Sequence, residues 1–339
     1  MNLQNSSGLL ITGGTGSFGQ SFLKTAVSKF PKLKRIVIYS RDEFKQWQMM
    51  EKFPKEKYPQ VRFFLGDIRD FRRFSIALDG IDTVIHAAAL KHVPFAEYNP
   101  IEFVKTNVLG TENIIQACLD RNIKALISLS TDKAASPINL YGASKLCADK
   151  LVVAANNIKG KRDIKFSVIR YGNVFGSRGS VVPMFLKKAK TGVIPITDTN
   201  MTRFSITLQE GVDFVINSMK NCFGGEIFVP KLSSYRILDI AEAIGPNCKK
   251  EIIGIRNGEK IDEEMITSSD SPFTIQTKDK YIILPADGKT TEIYKNKDKG
   301  FNYVEKNFSY NSSSNKSFLS IDQIRKLIIK NVDNSFTPF

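Results

Sequence analysis

The chain has 339 residues, of which 42% are hydrophobic and 24% charged, a composition typical of a globular protein with a large core and, at this length, two lobes. It has no apolar run of about 18 residues and starts without the basic and apolar segments of a signal peptide, so we expect a cytoplasmic protein without a membrane span. The net charge of +15 fits a broadly basic surface or a phosphorylated substrate, while four scattered cysteines and two histidines argue against a disulfide framework or a metal site.

Apolar strands alternate with helical segments over the first half of the chain. The predicted strands lie at 8–12, 35–39, 61–65, 83–87, 125–129 and 166–170, and the predicted helices at 17–30, 42–53, 101–120 and 141–157. This alternation is typical of an α/β protein in which a parallel Rossmann sheet is doubly wound, with helices on both faces. His86 lies among apolar residues of the fourth strand, so we expect it in the core.

The alternation ends after Tyr171, where glycines and a proline predict a loop-rich stretch. A helix at 207–220 and a strand at 226–229 indicate a return to the sheet. The polar segment 311–317 is predicted to be an exposed loop. We therefore predict an NADP-binding Rossmann domain at 1–172 and 205–230, and a smaller substrate-binding lobe at 173–204 and 231–339.

A glycine-rich segment, Thr12-Gly-Gly-Thr-Gly-Ser-Phe-Gly19, follows the first predicted strand and opens the first predicted helix. Glycines at this place allow a tight turn and a close approach of a pyrophosphate, whose charge is favoured at a helix N-terminus. A glycine turn without a ligand is the alternative, but the alternating elements that follow favour a dinucleotide. The predicted cofactor contacts here are Gly13, Thr15, Gly16, Ser17, Phe18 and Gly19.

The end of the second strand bears on the choice between NAD and NADP. Ser40 and Arg41 follow this strand, with Lys45 one helical turn further on, and a guanidinium beside a hydroxyl suits a 2′-phosphate. NAD-binding proteins usually carry a carboxylate here, and Asp42 and Glu43 keep that alternative open. The balance favours NADP.

Two further strand ends complete the predicted cofactor site. Asp67 and Ile68 follow the third strand, where a carboxylate can meet the adenine, although a simple strand-end cap is the alternative. Ala87 ends the fourth strand and is also assigned to the cofactor.

Tyr141 and Lys145 lie four positions apart, which places a phenol and an ammonium on one face of a helix. The lysine can hold the nicotinamide ribose and lower the pKa of the phenol, and the phenolate can take a proton from a carbinol as hydride leaves. Most isolated pairs of this kind lie on exposed helix surface. Here the pair follows an apolar strand that ends in Ser130-Thr131, which favours catalysis.

Six further segments form a specific pattern: Tyr39-Ser-Arg-Asp-Glu-Phe-Lys-Gln-Trp47, Ala87-Ala-Ala-Leu-Lys-His-Val-Pro94, Ser130-Thr-Asp-Lys-Ala134, Asn139-Leu-Tyr-Gly142, Arg170-Tyr-Gly-Asn173 and Met201-Thr-Arg-Phe204. With the glycine segment, they resemble the extended short-chain dehydrogenase/reductases of the nucleotide-sugar branch. Over residues 1–265 the chain is similar to the inverting UDP-N-acetylglucosamine 4,6-dehydratases that begin pseudaminic acid biosynthesis.

The resemblance implies a defined reaction. Bound NADP+ takes hydride from sugar C4, the 4-ketone acidifies the C5 proton, water leaves across C5–C6, hydride returns to C6, and C5 is reprotonated from the opposite face. The residues suit these steps. Thr131 and Tyr141 can stabilise the ketone, a neutral Lys133 can be the base, and a protonated Asp132 can deliver a proton to the departing C6 hydroxyl. A surface turn with two solvated charges is the alternative for Asp132 and Lys133.

The role of Tyr141 stays open between two steps. Its presence favours the pseudaminic-type enzymes over related capsule-pathway dehydratases that lack it. The gap between Thr131 and Tyr141 is shorter than in other extended-type members, so Tyr141 is either the C4 base or an aid to protonation at C5.

Substrate contacts are predicted at the carboxyl edge of the sheet and in later loops. Lys91 follows the fourth strand, and Asn173 follows the sixth, where it can bond a diphosphate or sugar oxygen. The resemblance adds a uridine-proximal loop and a late diphosphate- or ribose-binding stretch, while exposed surface is the alternative for each. The loop residues are Arg178, Gly179, Ser180, Val181 and Val182, and the late residues are Arg256 and Glu259.

Two other functions are compatible with a Rossmann domain. A UDP-sugar 4-epimerase shares the oxidation at C4 but has no use for Asp132 and Lys133. A non-catalytic nucleic-acid-binding protein that senses NADP would use the positive charge, but the Tyr141/Lys145 pair and the lack of an aromatic and basic platform argue against it. The resemblance also implies a homo-oligomer, a hexamer being one form, with helices near 101–120 and 141–157 at the contacts.

Overall fold

The computed structural model describes residues 3–177, 179–286, 288–297 and 301–339. The helices are α1 (Ser17–Lys29), α2 (Glu43–Lys52), α3 (Phe71–Ala77), α4 (Val93–Tyr98), α5 (Pro100–Phe103), α6 (Gly110–Asp120), α7 (Leu140–Ile158), α8 (Val181–Ala189), α9 (Leu208–Lys220), α10 (Ile237–Ile244), α11 (Lys289–Lys297) and α12 (Ile321–Asn331). Short 3₁₀ turns occur at Leu3–Asn5, Asp132–Ala134 and Ser271–Phe273, and a π-helical stretch at Val104–Leu109. Among the described residues, none of the helices combines the length and the apolar character needed to cross a bilayer.

The strands are β1 (Gly8–Thr12), β2 (Arg35–Ser40), β3 (Val61–Leu65), β4 (Thr83–His86), β5 (Ala125–Thr131), β6 (Lys165–Tyr171), β7 (Asn173–Val174), β8 (Val193–Ile196), β9 (Thr202–Ile206), β10 (Ile227–Pro230), β11 (Ser233–Arg236), β12 (Lys249–Ile252), β13 (Glu264–Ile266), β14 (Thr274–Gln276), β15 (Lys280–Ile283), β16 (Asn302–Tyr303) and β17 (Tyr310–Asn311).

A ten-stranded sheet forms the centre of the protein. Seven strands are parallel in the order β3-β2-β1-β4-β5-β6-β10, and β15, β14 and β16 continue the sheet as antiparallel strands. The register aligns Thr12 with His86 and His86 with Ser128, so β1, β4 and β5 end at the same edge. The prediction of an α/β fold with a doubly wound parallel sheet is confirmed.

Both faces of the parallel sheet are covered by helices. Phe22 and Leu23 of α1 share a buried cluster with Val212 and Val215 of α9 on one face. Residues of α3, α6 and α7 form the cluster on the other face. Burial of these apolar stripes is the main force that holds helices to a sheet.

His86 is buried in the core as predicted. Its ring nitrogens pair with the hydroxyls of Thr12 and Thr111 at 2.8 and 3.1 Å. Burial lowers its pKa to about 3, so the imidazole is neutral and structural.

The remaining strands form three small sheets outside the central one, with strand orders β11-β9-β7, β12-β8 and β13-β17. A separate apolar core lies between α8, α10 and α12. The strands β14, β15 and β16, from the segment predicted to form the substrate-binding lobe, belong instead to the central sheet. The division of the chain into two lobes stays a prediction.

Ser312 is fully buried, and its backbone N–H donates to the Glu263 carbonyl at 2.8 Å. Its hydroxyl accepts from the Glu263 backbone N–H and lies 2.6 Å from the Thr202 hydroxyl. The prediction of an exposed loop is therefore wrong at Ser312, because three polar partners stabilise this serine in the interior.

Candidate active site

A cleft of about 1040 Å³ lies at the carboxyl edge of the parallel strands. The ends of β1, β2, β4, β5 and β6 and the first residues of α1 and α7 line it. Open parallel sheets bind their ligands at this edge, where the strand order reverses next to β1.

The glycine turn forms one end of the cleft. Gly13 has a φ of +62°, and a Cβ there would lie 2.8 Å from the Ala88 nitrogen, so only glycine fits. Gly16 caps α1 without a side-chain hydrogen bond, which leaves the first N–H groups of α1 available to an anion. This backbone cradle fits a dinucleotide pyrophosphate.

Most predicted contacts of the glycine segment line the cleft, namely Gly13, Thr15, Gly16, Ser17 and Phe18. Gly19 does not, because it packs beneath the turn. A Cβ on Gly19 would lie 2.4 Å from the Gly14 carbonyl oxygen, so this glycine allows α1 to approach the turn.

The predicted adenosine end of the cleft is lined by Ser40, Arg41, Lys45, Asp67, Ile68 and Ala87. Arg41 is about half exposed and contacts the Asp67 carboxylate at 3.3 Å, while Arg69 contacts the same carboxylate at 2.7 Å. Burial would raise the pKa of Asp67, but the hydrogen bonds from Arg69 and the charge of Arg41 hold it below its usual value. Lys45 pairs with Asp42. Arg41 can therefore turn toward a ligand phosphate while Arg69 keeps Asp67 neutralised.

A cluster of charged side chains occupies the other end of the cleft, where β5 ends and the 3₁₀ turn begins. The Thr131 hydroxyl donates to Asp132 Oδ1 at 2.9 Å, and the Lys133 amine lies 3.1 Å from the same oxygen. Asp132 is buried, and its Oδ2 has no hydrogen-bond partner among the described residues. The pair predicted from the sequence therefore lies inside the cleft and not in an exposed turn.

Two residues that the sequence analysis missed complete this cluster. The Lys133 amine lies 2.7 Å from Glu263 Oε1, and Arg203 Nε lies 3.6 Å from the same oxygen. Glu263 is buried and precedes β13, about 130 residues after Lys133. Arg203 lies in the segment Met201–Phe204 that the resemblance included without a role, whereas no sequence signal marks Glu263.

These contacts oppose the neutral Lys133 that the proposed base requires. Burial would lower the pKa of the Lys133 amine, but the carboxylates of Asp132 and Glu263 outweigh it and raise that pKa well above the usual value. In this arrangement Lys133 is an ammonium, and it must lose a proton before it can act as a base.

Tyr141 and Lys145 lie on the first turns of α7, and both line the cleft. Burial raises the pKa of Tyr141 to about 12, against the opposing effects of the Lys133 charge and a hydrogen bond with Thr131. The charge that lowers the pKa of Tyr141 is therefore that of Lys133, and not that of Lys145 as expected from the sequence. Burial lowers the pKa of Lys145 itself, while the nearby Asp149 raises it.

A buried ion pair supports the floor of the cleft. Asp149 is fully buried one turn after Lys145, and its Oδ2 accepts from the Ser130 hydroxyl at 2.7 Å and from Arg170 at 3.2 Å. Arg170 also donates to the Met265 carbonyl at 3.0 Å. These bonds join α7, β5, β6 and β13 directly behind the charged cluster.

Four of the predicted substrate residues line the cleft: Lys91, Asn173, Gly179 and Ser180. Burial, and then the charge of Lys133, lower the pKa of Lys91. The side-chain oxygens of Asn173 and Ser180 are buried without hydrogen-bond partners among the described residues. Orphaned polar atoms in a cleft are typical of positions where a ligand supplies the missing partner.

The other predicted substrate residues that the structure describes do not line the cleft. Val181 and Val182 begin α8, which directs Val182 into the apolar core between α8, α10 and α12. Arg256 and Glu259 lie 3.9 Å apart on an exposed loop that is tied to α7 where Asn139 donates to the Gly258 carbonyl. Arg178 lies outside the described residues.

The cleft also contains residues that the sequence analysis did not assign. His92, Thr106, Tyr171 and Gly172 line it. A Cβ on Gly172 would lie 2.5 Å from Phe204 Cβ and 3.5 Å from Asp132 Oδ2, so glycine keeps this wall open next to the carboxylate. His92 and Gly172 lie within segments on which the resemblance rests, and this is the sequence signal that could have identified them.

The doubly wound sheet, the glycine turn and the Tyr141/Lys145 pair at the strand ends define an extended short-chain dehydrogenase/reductase. The sequence model of a family described as polysaccharide biosynthesis protein matches residues 9–285. The chain belongs to this family.

Curated relatives carry two activities in their names. A protein of Campylobacter jejuni named UDP-N-acetylglucosamine 4,6-dehydratase (inverting) is 48% identical over 96% of this chain and 98% of its own length. A protein of Rickettsia conorii named UDP-glucose 4-epimerase is 38% identical over 95% of both chains. The resemblance inferred from the motifs is confirmed.

Solved structures agree on the fold. Pen from Bacillus thuringiensis matches with a TM-score of 0.87 and 36% identity, over 96% of this chain and 97% of its own. DesIV from Streptomyces venezuelae, described as a dTDP-glucose 4,6-dehydratase with NAD bound, matches with a TM-score of 0.65 and 21% identity, over 75% of this chain and 86% of its own.

Proposed function

We propose that the protein is an inverting UDP-N-acetylglucosamine 4,6-dehydratase that uses tightly bound NADP+. The observation that carries the proposal is the contact between Asp132 and Lys133 inside the cleft that Tyr141 and Lys145 also line. An acid and a base beside the site of oxidation can carry out an elimination. The inverting relative in Campylobacter jejuni supports UDP-N-acetylglucosamine as the substrate. The product is UDP-2-acetamido-2,6-dideoxy-β-L-arabino-hex-4-ulose, which suits the pseudaminic acid pathway.

The residues of the cleft fit a nicotinamide dinucleotide. When bound, the cofactor would supply a reversible hydride acceptor for the oxidation at C4 and the reduction at C6. The glycine turn would hold the pyrophosphate, Arg41 a 2′-phosphate, and Lys145 the nicotinamide ribose. Arg41 is the residue that favours NADP over NAD in this proposal.

Oxidation at C4 requires a group that removes the hydroxyl proton. Tyr141 and Thr131 both line the cleft and can bind the C4 oxygen together. The high pKa of Tyr141 means that the ammonium of Lys133 beside it is needed to stabilise a phenolate. Tyr141 is therefore the C4 base when Lys133 is protonated, and it is then placed to return that proton at C5.

Elimination requires a neutral amine and a carboxylic acid. A single transfer of a proton from Lys133 to Asp132 provides both forms at once, because the two groups already form a hydrogen bond. A substrate that fills the cleft excludes water and favours the neutral pair over the ion pair. Lys133 then removes the C5 proton, and Asp132 protonates the C6 hydroxyl as it leaves as water.

A UDP-sugar 4-epimerase is the second candidate. The Rickettsia conorii relative named UDP-glucose 4-epimerase favours it. An epimerase returns hydride to C4 and eliminates nothing, so it gives no use to the buried carboxylate of Asp132.

Incubation of the purified protein with UDP-N-acetylglucosamine in D₂O, without added cofactor, separates these functions by NMR and mass spectrometry. A dehydratase yields a product that has lost water, carries deuterium at C5 and is L-configured. UDP-N-acetylgalactosamine without loss of water would establish the epimerase instead. Acid extraction of the protein and chromatography of the released nucleotide identify NADP or NAD.

We also propose that the protein is a homo-oligomer. Tyr98, Ile101 and Leu109 expose 86%, 58% and 51% of their surfaces near the helices predicted to form contacts. Apolar side chains grouped on a surface favour association. Light scattering on a sizing column measures the mass, and a monomer would contradict this proposal.

A further inference from the structure

Glu263 is a buried carboxylate for which the proposed mechanism gives no role. It is 1% exposed, and its Oε1 contacts the Lys133 amine at 2.7 Å, closer than the 3.1 Å contact between Asp132 and the same amine. Its Oε2 has no hydrogen-bond partner among the described residues. Buried carboxylates are costly unless they are paired, so the pairing with Lys133 needs an explanation.

The position of Glu263 is fixed from several sides. Ser312 bonds both the N–H and the carbonyl of its backbone, and Arg203 lies 3.6 Å from its Oε1. Arg203 is held in turn by hydrogen bonds to the carbonyls of Thr202, Ile261 and Lys260. These contacts hold the Glu263 carboxylate in place beside the Lys133 amine.

The cluster contains two positive and two negative side chains, and the two carboxylates behave differently in the proposed reaction. Arg203 and Lys133 together carry two positive charges against the two carboxylates of Glu263 and Asp132. When Lys133 passes its proton to Asp132, Glu263 stays ionised beside a neutral amine. When the amine then takes the C5 proton, the electron pair of the C5–H bond forms the C5=C6 bond, and the C6 oxygen leaves with the proton of Asp132. The new ammonium forms next to an anion that is already in place.

We propose that Glu263 is a positioning residue that orients the Lys133 amine and stabilises the ammonium as the amine takes the C5 proton. This inference rests on the proposed dehydratase function. Asp132 changes its protonation state during the elimination, whereas Glu263 keeps its charge and raises the basicity of Lys133. Such preorganised charge acts in the transition state without rearrangement.

Other titratable groups also face Lys133 and bear on its proton affinity. Lys91, from the loop after β4, and Lys260, from the segment before β13, add positive charge. Tyr141 of α7 and Tyr235 of β11 are neutral phenols whose pKa values burial raises. The carboxylates of Asp132 and Glu263 outweigh these groups and hold the proton on the amine.

The first arm of the test measures Lys133 directly, without turnover. The holoenzyme is acetylated with limiting acetic anhydride at a series of pH values, and mass spectrometry compares the peptide of Lys133 with that of the exposed Lys150. In Glu263→Gln the loss of charge lowers the pKa of Lys133, so its relative acetylation at pH 9 rises by about tenfold over the wild type. Glu263→Asp keeps the charge and stays close to the wild type.

The second arm resolves the two halves of the reaction with UDP-N-acetylglucosamine. Absorbance at 340 nm in single turnovers follows hydride removal from C4, and loss of water is followed by quenched mass spectrometry. In Glu263→Gln, elimination slows by about 10- to 100-fold, the typical effect of a hydrogen bond to a charged group, while hydride removal and KM change less than about threefold. Glu263→Asp recovers part of the elimination rate.

Glu264→Gln is the matched control, because Glu264 is the next residue and bonds the Ser136 hydroxyl at 2.9 Å outside the cluster. We expect this variant to show the Lys133 acetylation of the wild type and the same rates of hydride removal and elimination. Unchanged Lys133 acetylation in Glu263→Gln, or equal loss of hydride removal and elimination in both Glu263 variants, would overturn the proposal. A wild type that eliminates no water would instead contradict the dehydratase function, while the acetylation arm still measures the coupling between Glu263 and Lys133.

Discussion

The two ends of the cleft are built on different principles. The glycine turn offers the backbone groups of one continuous segment, residues 12–19, whose conformation depends on Gly13 and its neighbours. The charged cluster is made of side chains from the 3₁₀ turn after β5, from β9 and from the residue before β13, which meet only in the folded chain. A backbone site is therefore encoded locally, whereas a charge cluster is encoded by the topology of the whole protein.

Lys133→Ala tests the charged cluster and has the largest expected effect. Loss of the base slows elimination by about 10²- to 10⁴-fold, the usual contribution of general base catalysis, while the glycine turn keeps its cofactor. Product formation from UDP-N-acetylglucosamine and the nucleotide content of the purified protein measure the two properties. If both fall together, Lys133 has a structural role, and the two ends of the cleft are not independent.

Asp149→Ala tests the support behind the cluster. It leaves Arg170 buried without its carboxylate partner, and an uncompensated buried charge typically costs about 3–5 kcal/mol in the free energy of unfolding. Urea denaturation measures this loss. Asp120→Ala, at the exposed end of α6, is the control and changes stability by less than about 0.5 kcal/mol. Equal effects in the two variants would show that the pair behind the cluster contributes little.

Gly13→Ala tests the glycine turn. The added methyl group meets the Ala88 backbone at a positive φ, so we expect a loss of about 1–3 kcal/mol in stability together with weaker cofactor binding. Gly192→Ala is a matched control, because its φ is +75° and nothing lies within 4 Å of the added methyl group. Calorimetry of the two variants separates steric contact from backbone strain. Full cofactor content in Gly13→Ala would contradict a close approach of the pyrophosphate.

Arg41→Ala has the smallest expected effect and concerns the choice of cofactor. We expect affinity for NADP+ to fall about tenfold and affinity for NAD+ to stay constant, because only NADP+ carries the 2′-phosphate that a guanidinium binds. Fluorescence titration of nucleotide-stripped protein measures both constants. Arg72→Ala, on the exposed start of α3, is the control. A parallel loss of both affinities would mean that Arg41 only orders Asp67.

The sequence predicted the elements of the parallel sheet well, because their apolar strands and amphipathic helices follow regular periods. It did not predict α3 or α8, because helices of seven and nine residues are too short to show a helical period clearly. The antiparallel strands β14, β15 and β16 were also missed, because strands of two to four residues give no periodic signal.

The site was predictable where its residues follow strand ends. Asp132, Lys133, Tyr141 and Lys145 were found in this way, and all four line one cleft. Glu263 could not be found, because its importance depends on a contact across about 130 residues of chain. The resting protonation state of Lys133 could not be predicted for the same reason, since a carboxylate that is unknown cannot enter the electrostatic argument.

The distance in sequence between Lys133 and Glu263 has a consequence for synthesis. A ribosome that adds about 5–20 residues per second needs on the order of ten seconds to pass from one to the other. During that time the nascent chain already contains the turn that we propose to hold the nucleotide, while the glutamate that we propose to orient the lysine has not been made. Loading of the nucleotide can thus precede catalytic competence, and the serine at 312 that braces the glutamate emerges later still.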